Sequence, residues 1–334
     1  MTFFSLEANR GSTLSLRIKF LGSRTAGGDE VSEDDVMAIE ELLPRVVTNY
    51  PKAHTIIFDL TKRNVWESLN QFNFDWESFC NTIFQNLTCF VSLELRGNGF
   101  VHDQSWDALL NHIATSSSEI SKRLRSLKLI NIGHAPLTFR RIASFSSLEE
   151  LCVTYSTARK TSMSASTCTL LGNSLLSLPQ LRKVKFIKFL FDETRISSIE
   201  NVYFPIVKAL GTISTLEHVE WTLYIMKGTV DGRFKQATLT EDEEELINFF
   251  PRLNKAGYCS MLANGGVSNI SKWINVVFNV RDHFDCLYYL LRTSDPTAFA
   301  KAALNESQEA RQSIEDKSGQ LALCLNRKRA YQAQ

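Results

Sequence analysis

The chain has 334 residues, of which 44% are hydrophobic and 22% charged, a composition that excludes disordered and fibrous proteins. Its 37 lysines and arginines nearly cancel its 36 aspartates and glutamates, so no global charge attracts nucleic acid or an anionic membrane. No stretch is apolar enough for a signal-peptide core or a bilayer span, so we expect no membrane association. Seven cysteines without a C-x-x-C pair predict free thiols in the cytoplasm or the nucleus.

A short phrase of the form L-x-x-L-x-L, with apolar substitutions, recurs along the chain. Its alternation of apolar and polar residues has the period of a strand with one buried face. The apolar positions of five copies are Phe90, Leu93 and Leu95; Leu124, Leu127 and Leu129; Leu148, Leu151 and Val153; Leu181, Val184 and Phe186; and Leu216, Val219 and Trp221. Two weaker copies precede them, at 14–20 and 54–59.

The segments between the phrases have apolar residues at helical spacing. Such segments occupy residues 36–46, 76–84, 103–113 and 196–213. Two parallel strands need a crossover connection, usually a helix, and a unit of this kind buries its apolar face only by stacking on its neighbours. The sequence therefore predicts an α/β solenoid. The alternative is a compact doubly wound sheet, which does not require the same phrase to recur.

After residue 235 we expect helices only. Thr240 and Glu243 have the spacing of a capping box at a helix start. Three predicted buried stripes follow: Leu246, Phe249, Phe250 and Leu253; Ile270, Trp273, Ile274 and Val277; and Phe284, Leu287, Tyr288 and Leu291. Because a repeat array exposes the apolar face of its last unit, we predict a repeat region over 1–235, a helical cap over 236–304 and a partly disordered tail over 305–334.

One copy of the phrase matches a longer pattern in full, with Phe90, Leu93, Leu95, Asn98 and Phe100. This pattern, L-x-x-L-x-L-x-x-N-x-L, resembles that of the leucine-rich-repeat family. In the other copies the asparagine position holds Ile132, Ser156, Phe189 or Tyr224, so we expect no continuous asparagine ladder. The long units resemble the irregular, ribonuclease-inhibitor-like subclass. The resemblance implies a horseshoe-shaped solenoid.

The C-terminal part has a resemblance of its own. Residues 253–256 and 273–277 are similar to the end of uncharacterised algal leucine-rich-repeat proteins. This similarity implies no activity.

No catalytic or cofactor-binding motif is present, whether a phosphate-binding loop, G-x-S-x-G or H-E-x-x-H. The segment Gly22–Gly28 lacks the lysine of a phosphate-binding loop, so we interpret it as a turn. His283 and Cys286 fall short of the four convergent ligands that a zinc site needs. We therefore expect no catalysis, no cofactor and no metal.

The residues that alternate with the buried positions of each phrase would line the concave face of the array. They carry both signs of charge and no aromatic ring, which is unsuitable for nucleic acid. The candidate binding residues are Glu94, Arg96, Lys128, Glu150, Lys183, Lys185, His218 and Glu220. The sequence thus predicts a monomeric, non-catalytic scaffold that binds another protein. The alternatives are a substrate-recognition subunit of a ubiquitin ligase and an enzyme on an irregular α/β frame.

Overall fold

The computed structural model describes a large β-sheet and a series of helices. The described residues are 3–8, 14–19, 23–25, 28–30, 51–59, 86–97, 103–115, 122–132, 135–155, 163–192, 199–226, 234–237, 239–263 and 270–293, with scattered positions in 37–49 and 61–82. The chain forms two compact units, Met1–Pro251 and Arg252–Gln334. The boundaries at residues 235 and 304 stay predictions. The predicted tail and most of the predicted helices at 36–46 and 76–84 lie outside the described residues.

The strands in the described ranges form one nine-stranded sheet and one small hairpin. In chain order they are β1 (Phe3–Ala8), β2 (Leu14–Lys19), β3 (Ser23–Thr25), β4 (Gly28–Glu30), β5 (Ala53–Asp59), β6 (Ser92–Arg96), β7 (Ser126–Ile132), β8 (Glu150–Tyr155), β9 (Lys183–Asp192), β10 (His218–Met226) and β11 (Phe234–Ala237). The two edge strands β1 and β11 pair antiparallel, whereas the strands between them are parallel. The hairpin of β3 and β4 lies where the sequence predicted only a turn.

The helices follow the strands in alternation and then continue alone. They are α1 (Asp103–Thr115), α2 (Pro136–Ile142), α3 (Ala165–Leu176), α4 (Ile199–Leu210), α5 (Glu241–Lys255), α6 (Tyr258–Ala263), α7 (Ile270–Asn279) and α8 (Phe284–Thr293). Within the described part of the chain, none of them has the length and hydropathy to cross a membrane.

The order of the strands in the sheet distinguishes between the two predicted architectures. It runs β1, β2, β5, β6, β7, β8, β9, β10, β11, so it follows the chain without a reversal. Because crossovers between parallel strands are right-handed, this order places successive helices on the same side of the sheet, and α1 to α4 pack against one another in sequence. A doubly wound sheet reverses its strand order and has helices on both faces. The doubly wound alternative is therefore wrong, and the arrangement is solenoid-like.

The core lies between the sheet and the helix layer. The apolar positions of the phrases are buried there, together with the inner face of α1, which consists of Trp106, Leu109, Leu110 and Ile113. This confirms the predicted burial of the apolar positions in the first four of the five copies and in the two weaker copies. The last phrase differs, because Val219 and Trp221 are only partly buried.

Strand β7 contains one more residue than its neighbour β8 at the point of a register shift, and β9 contains one more than β10. Each of these additional residues has a left-handed backbone conformation. These residues are Asn131, with φ of 55°, and Lys188, with φ of 60°. The insertions turn Ile132 and Phe189 inward, where both are fully buried at the position that is asparagine in the family pattern. In β8 and β10 the residues paired with them, Tyr155 and Leu223, are also buried. Apolar packing thus fills the place of an asparagine ladder.

The start of each strand from β7 to β10 repeats the same hydrogen bonds. The residue before one strand accepts, through its carbonyl, two backbone N–H groups of the next unit; the accepting residues are Val91, Arg125, Glu149 and Arg182. The side chains at this position alternate in charge from β7 to β10. Arg125 donates to Glu149 at 2.8 Å, and Arg182 donates to Glu217 at 3.2 Å. Successive units from β7 to β10 are therefore joined by equivalent backbone hydrogen bonds, with an added ion pair between β7 and β8 and between β9 and β10.

The predicted capping box at the start of α5 is confirmed. The backbone N–H of Thr240 donates to Oε2 of Glu243 at 2.9 Å, and the N–H of Glu243 donates to the Thr240 hydroxyl at 3.3 Å. The buried Glu243 carboxylate also accepts a hydrogen bond from the Tyr203 hydroxyl at 3.1 Å. One side chain thus caps α5 and connects it to α4.

Helices α3 and α4 approach closely at Gly172. A Cβ atom at this position would lie 2.7 Å from the backbone carbonyl oxygen of Pro205. At Gly211, after α4, a Cβ atom would instead lie 2.6 Å from the side chain of Leu246. The first contact is with backbone and requires glycine, whereas the second is mainly with a side chain that is 38% exposed, the backbone oxygen of Leu246 lying farther away at 3.2 Å.

The buried faces of α7 and α8 differ from the predicted stripes. In α7, Trp273 and Val276 are buried but Ile274 is 51% exposed. In α8, Leu290 is buried but Phe284 is 81% exposed. Tyr288 and, in α5, Leu246 are also exposed, so these parts of the predicted stripes are wrong. Helical spacing identified the apolar residues but not the side of the helix that packs.

Candidate functional site

The side of the sheet turned away from the helix layer, which we call the open face, carries the residues that alternate with the buried ones. Strand pairing arranges them in rows across the sheet. One row contains Thr55, Ser92, Ser126, Glu150, Lys183 and His218, and the next contains Ile57, Glu94, Lys128, Cys152, Lys185 and Glu220. Arg96 follows in a third row beside Asp59. The fold therefore brings all eight candidate residues onto one face.

The open face has two halves with different access to solvent. On β2, β5 and β6, which we call the covered half, Ser15, Ile57, Asp59 and Glu94 are at most 9% exposed. On β7 to β10, the accessible half, polar side chains are half-buried or exposed. Glu94 also forms an ion pair with Arg96 on its own strand. It therefore offers little surface to a partner.

The covered half contains an ion pair that the sequence gave no sign of. Asp59 accepts hydrogen bonds from Nε and Nη2 of Arg17 at 3.2 and 2.7 Å, through the same oxygen. Its other oxygen accepts from the hydroxyl and the N–H of Thr61 at 2.6 and 3.3 Å. Burial alone would raise the pKa of Asp59, but the Thr61 and Arg17 donors outweigh it and hold the pKa below its ordinary value. The carboxylate is thus ionised at neutral pH.

A depression of about 330 Å³ lies in the accessible half, over β7 to β10. It is lined by Ser126, Lys128, Glu150, Leu151, Cys152, Lys183, Val184, Lys185 and His218. Five of the eight candidate residues are among these. The sequence did not single out Ser126 or Cys152 as binding residues, although the alternation placed both on this face, since nothing in the strand pattern shows where a face is recessed.

Two ion pairs cross between strands at the depression. Nζ of Lys183 lies 2.8 Å from Glu150, and Nζ of Lys185 lies 2.7 Å from Glu220. All four side chains are between 43% and 53% exposed. The hydrogen bonds to these carboxylates raise the pKa of both lysines, so both ammonium groups are charged at neutral pH.

Lys128 differs from these two lysines. Among the residues that the structure describes, it forms no ion pair. Cys152 lies on β8, between Lys128 on β7 and Lys185 on β9. Burial raises the pKa of its thiol, and the two lysines only partly oppose this, so the thiol is protonated at neutral pH.

Nothing in the described ranges points to a metal centre. No group of three or more histidine, cysteine, aspartate or glutamate side chains there is arranged to hold an ion. His283 and Cys286 lie at the start of α8, where Cys286 is fully buried and its thiol has a pKa raised by burial to about 12.

Comparison with known proteins does not identify the chain. No model of a known protein family matches the chain, and no curated protein matches it either.

Proposed function

We propose that this chain is a non-catalytic scaffold that binds another protein through the accessible half of its open face. The observation that carries the proposal is the depression over β7 to β10, which is surrounded by charged side chains on neighbouring strands. Side chains on paired strands are held more rigidly than side chains on loops, which favours specific recognition. We also propose that the array is a leucine-rich-repeat horseshoe of the irregular, ribonuclease-inhibitor-like kind.

The charges of the accessible half favour a protein over nucleic acid. Lys128, Lys183 and Lys185 are interrupted by Glu150 and Glu220, so the face lacks the continuous basic stripe that a nucleic-acid backbone needs. Among the described lining residues there is no Phe, Tyr or Trp, so bases would lack the large aromatic rings on which they stack in nucleic-acid sites. Mixed charges are instead usual in protein interfaces, where they fix the orientation of the partner.

The chemistry of the depression supports a binding role. Cys152, the cysteine among the described lining residues, is protonated at neutral pH, whereas a nucleophilic cysteine needs a lowered pKa. The five described cysteines are free thiols, which supports a location in the reducing cytoplasm or nucleus.

Charge reversal at the accessible half, compared with charge reversal at exposed helix positions, tests the proposal. One variant carries Lys128→Glu, Lys183→Glu and Lys185→Glu on the accessible half. Its control carries Arg140→Glu, Lys208→Glu and Lys255→Glu on exposed helix positions, which changes the net charge equally. Proteins that co-purify with each tagged variant are quantified by mass spectrometry, after circular dichroism has shown that both variants fold.

We expect the accessible-half variant to lose a defined set of co-purifying proteins that the control retains. Equal recovery of every protein by the two variants would contradict the proposal.

A further inference from the structure

We infer that the depression in the accessible half receives an acidic segment of the partner, with one carboxylate bound at Lys128. This inference rests on the proposed function and specifies the chemistry of the partner.

The charge of the lining points to an acidic ligand. The lining contains three lysines, Lys128, Lys183 and Lys185, and one glutamate, Glu150. Glu220, which pairs with Lys185, adds a second negative charge, so three positive charges face two negative charges and leave a surplus of one. A recess with a positive surplus attracts an anionic group and disfavours a basic one.

Lys128 provides the most available cation in this recess. Lys183 and Lys185 each hold a glutamate within 2.8 Å, whereas Lys128 has no ion-pair partner among the described residues. A carboxylate that binds Lys128 therefore gains a charge-assisted hydrogen bond without displacing another one.

A second lysine is within reach of the same carboxylate. Lys128 and Lys185 lie on either side of Cys152, and adjacent strands are about 4.8 Å apart, so their backbones are separated by about 10 Å. Two lysine side chains span this distance over the neutral thiol. The exposed pair of Lys185 with Glu220 is of the kind that contributes little to stability, so Lys185 is free to exchange partners.

The backbone around the depression favours a carboxylate over a phosphate group. Phosphate sites commonly use several backbone N–H groups that point at the ligand from a loop or a helix start. Here the lining residues on β8 and β9 lie within a parallel ladder, where the backbone N–H groups are used between strands. Side-chain donors, chiefly the lysines, therefore remain to bind the anion.

Binding of a fluorescein-labelled hexaglutamate peptide to the full chain tests this inference, with hexaglutamine as the neutral comparison. Fluorescence anisotropy gives the affinity for wild type, for Lys128→Gln and for Lys208→Gln. The last variant removes the same charge from an exposed position of α4. We expect Lys128→Gln to weaken hexaglutamate binding roughly tenfold, in keeping with the loss of one charge-assisted hydrogen bond. Lys208→Gln should leave the affinity within about twofold of wild type, and hexaglutamine should not bind.

The thiol of Cys152, which lines the depression, gives a second readout. Bound hexaglutamate should slow the alkylation of Cys152 by iodoacetamide, measured residue by residue by mass spectrometry. Cys89, which is also half-buried but does not line the depression, should react at an unchanged rate.

Three results would overturn the inference: no binding of hexaglutamate, an equal loss of affinity in the two lysine variants, or unaltered alkylation of Cys152. If one of these occurred while the accessible-half variant still lost co-purifying proteins, the scaffold function would stand and only the acidic partner would be wrong.

Discussion

The two halves of the open face have the same strand architecture but use their charged residues differently. In the covered half, Asp59 is 3% exposed and accepts four hydrogen bonds from Arg17 and Thr61. In the accessible half, Lys183 and Glu150 are 53% and 43% exposed and share one contact. Removing one member of a buried pair leaves an uncompensated charge, whereas exposed pairs contribute little. Ion pairs at similar places in the sheet thus support folding in one half and remain available to a partner in the other.

The largest expected effect comes from removing the buried carboxylate of the covered half. Asp59→Ala should lower the free energy of unfolding by about 3 kcal/mol, because Arg17 loses its counter-ion and Thr61 loses its acceptor. Urea denaturation at pH 7, followed by circular dichroism, measures this loss. A change below about 1 kcal/mol would show that the two halves do not differ in the way described.

The same variant has a predicted pH dependence. The folded pKa of Asp59 lies below its ordinary value of 3.8, so its contribution to stability is complete above that value and is lost as the pH falls through the folded pKa. The stability difference between wild type and Asp59→Ala should therefore shrink in acid. A difference that stays constant from pH 7 to pH 3 would contradict the lowered pKa.

The next effect concerns the helices that pack on the opposite side of the sheet from the accessible half. Gly172→Ala should cost about 2 kcal/mol, because the new methyl group meets the carbonyl oxygen of Pro205 and forces α3 and α4 apart. Gly211→Ala is the matched control and should cost less, since the partly exposed Leu246 side chain is able to move. Thermal unfolding of the two variants compares them, and an equal loss would contradict the backbone contact.

A smaller effect is expected at the inserted residue of β9. Lys188 has a φ of 60°, which suits glycine and is strained for a β-branched residue. Lys188→Val should cost about 1 kcal/mol, whereas Lys188→Gly should not destabilise the protein. Chemical denaturation of both variants tests the insertion, and a valine variant as stable as the glycine variant would argue against it.

The smallest effect is expected at the exposed ion pair. Lys183→Gln should change the free energy of unfolding by less than about 0.5 kcal/mol, because both partners are well solvated. Urea denaturation measures the change under the conditions used for Asp59→Ala. A loss above about 1 kcal/mol would remove the distinction between the two halves.

The part of the fold that depends on local periodicity was predictable from the sequence. The strand phrases fixed the inward positions of residues such as Leu93 and Leu127, and the spacing of Thr240 and Glu243 gave the capping box. The inserted residues Asn131 and Lys188 were not predictable, because neither is a glycine that would mark an unusual φ. The packing side of α8 was also missed, since the choice between Phe284 and Leu290 depends on contacts with other elements.

The sequence predicted which face of the sheet carries the candidate residues, but it did not predict how buried each residue is. Alternation along each strand placed Lys128, Lys185 and Glu94 on one face, and they lie there. It did not show that Glu94 is buried while Lys185 is not, because burial of a sheet face depends on distant parts of the chain. Likewise, the lack of an ion-pair partner for Lys128 among the described residues could be recognised only once the cross-strand pairs were known.

The alternating side chains at the strand starts slightly limit how such an array changes in length. The order Arg125, Glu149, Arg182, Glu217 gives each charge an opposite neighbour. Duplication or loss of a single unit would place like charges side by side, which is unfavourable on neighbouring strands. Gain or loss of two units would preserve the alternation. Each like-charge contact would cost little, because these side chains are exposed like Lys183 and Glu150, so the alternation gives changes by two units only a small energetic advantage over changes by one.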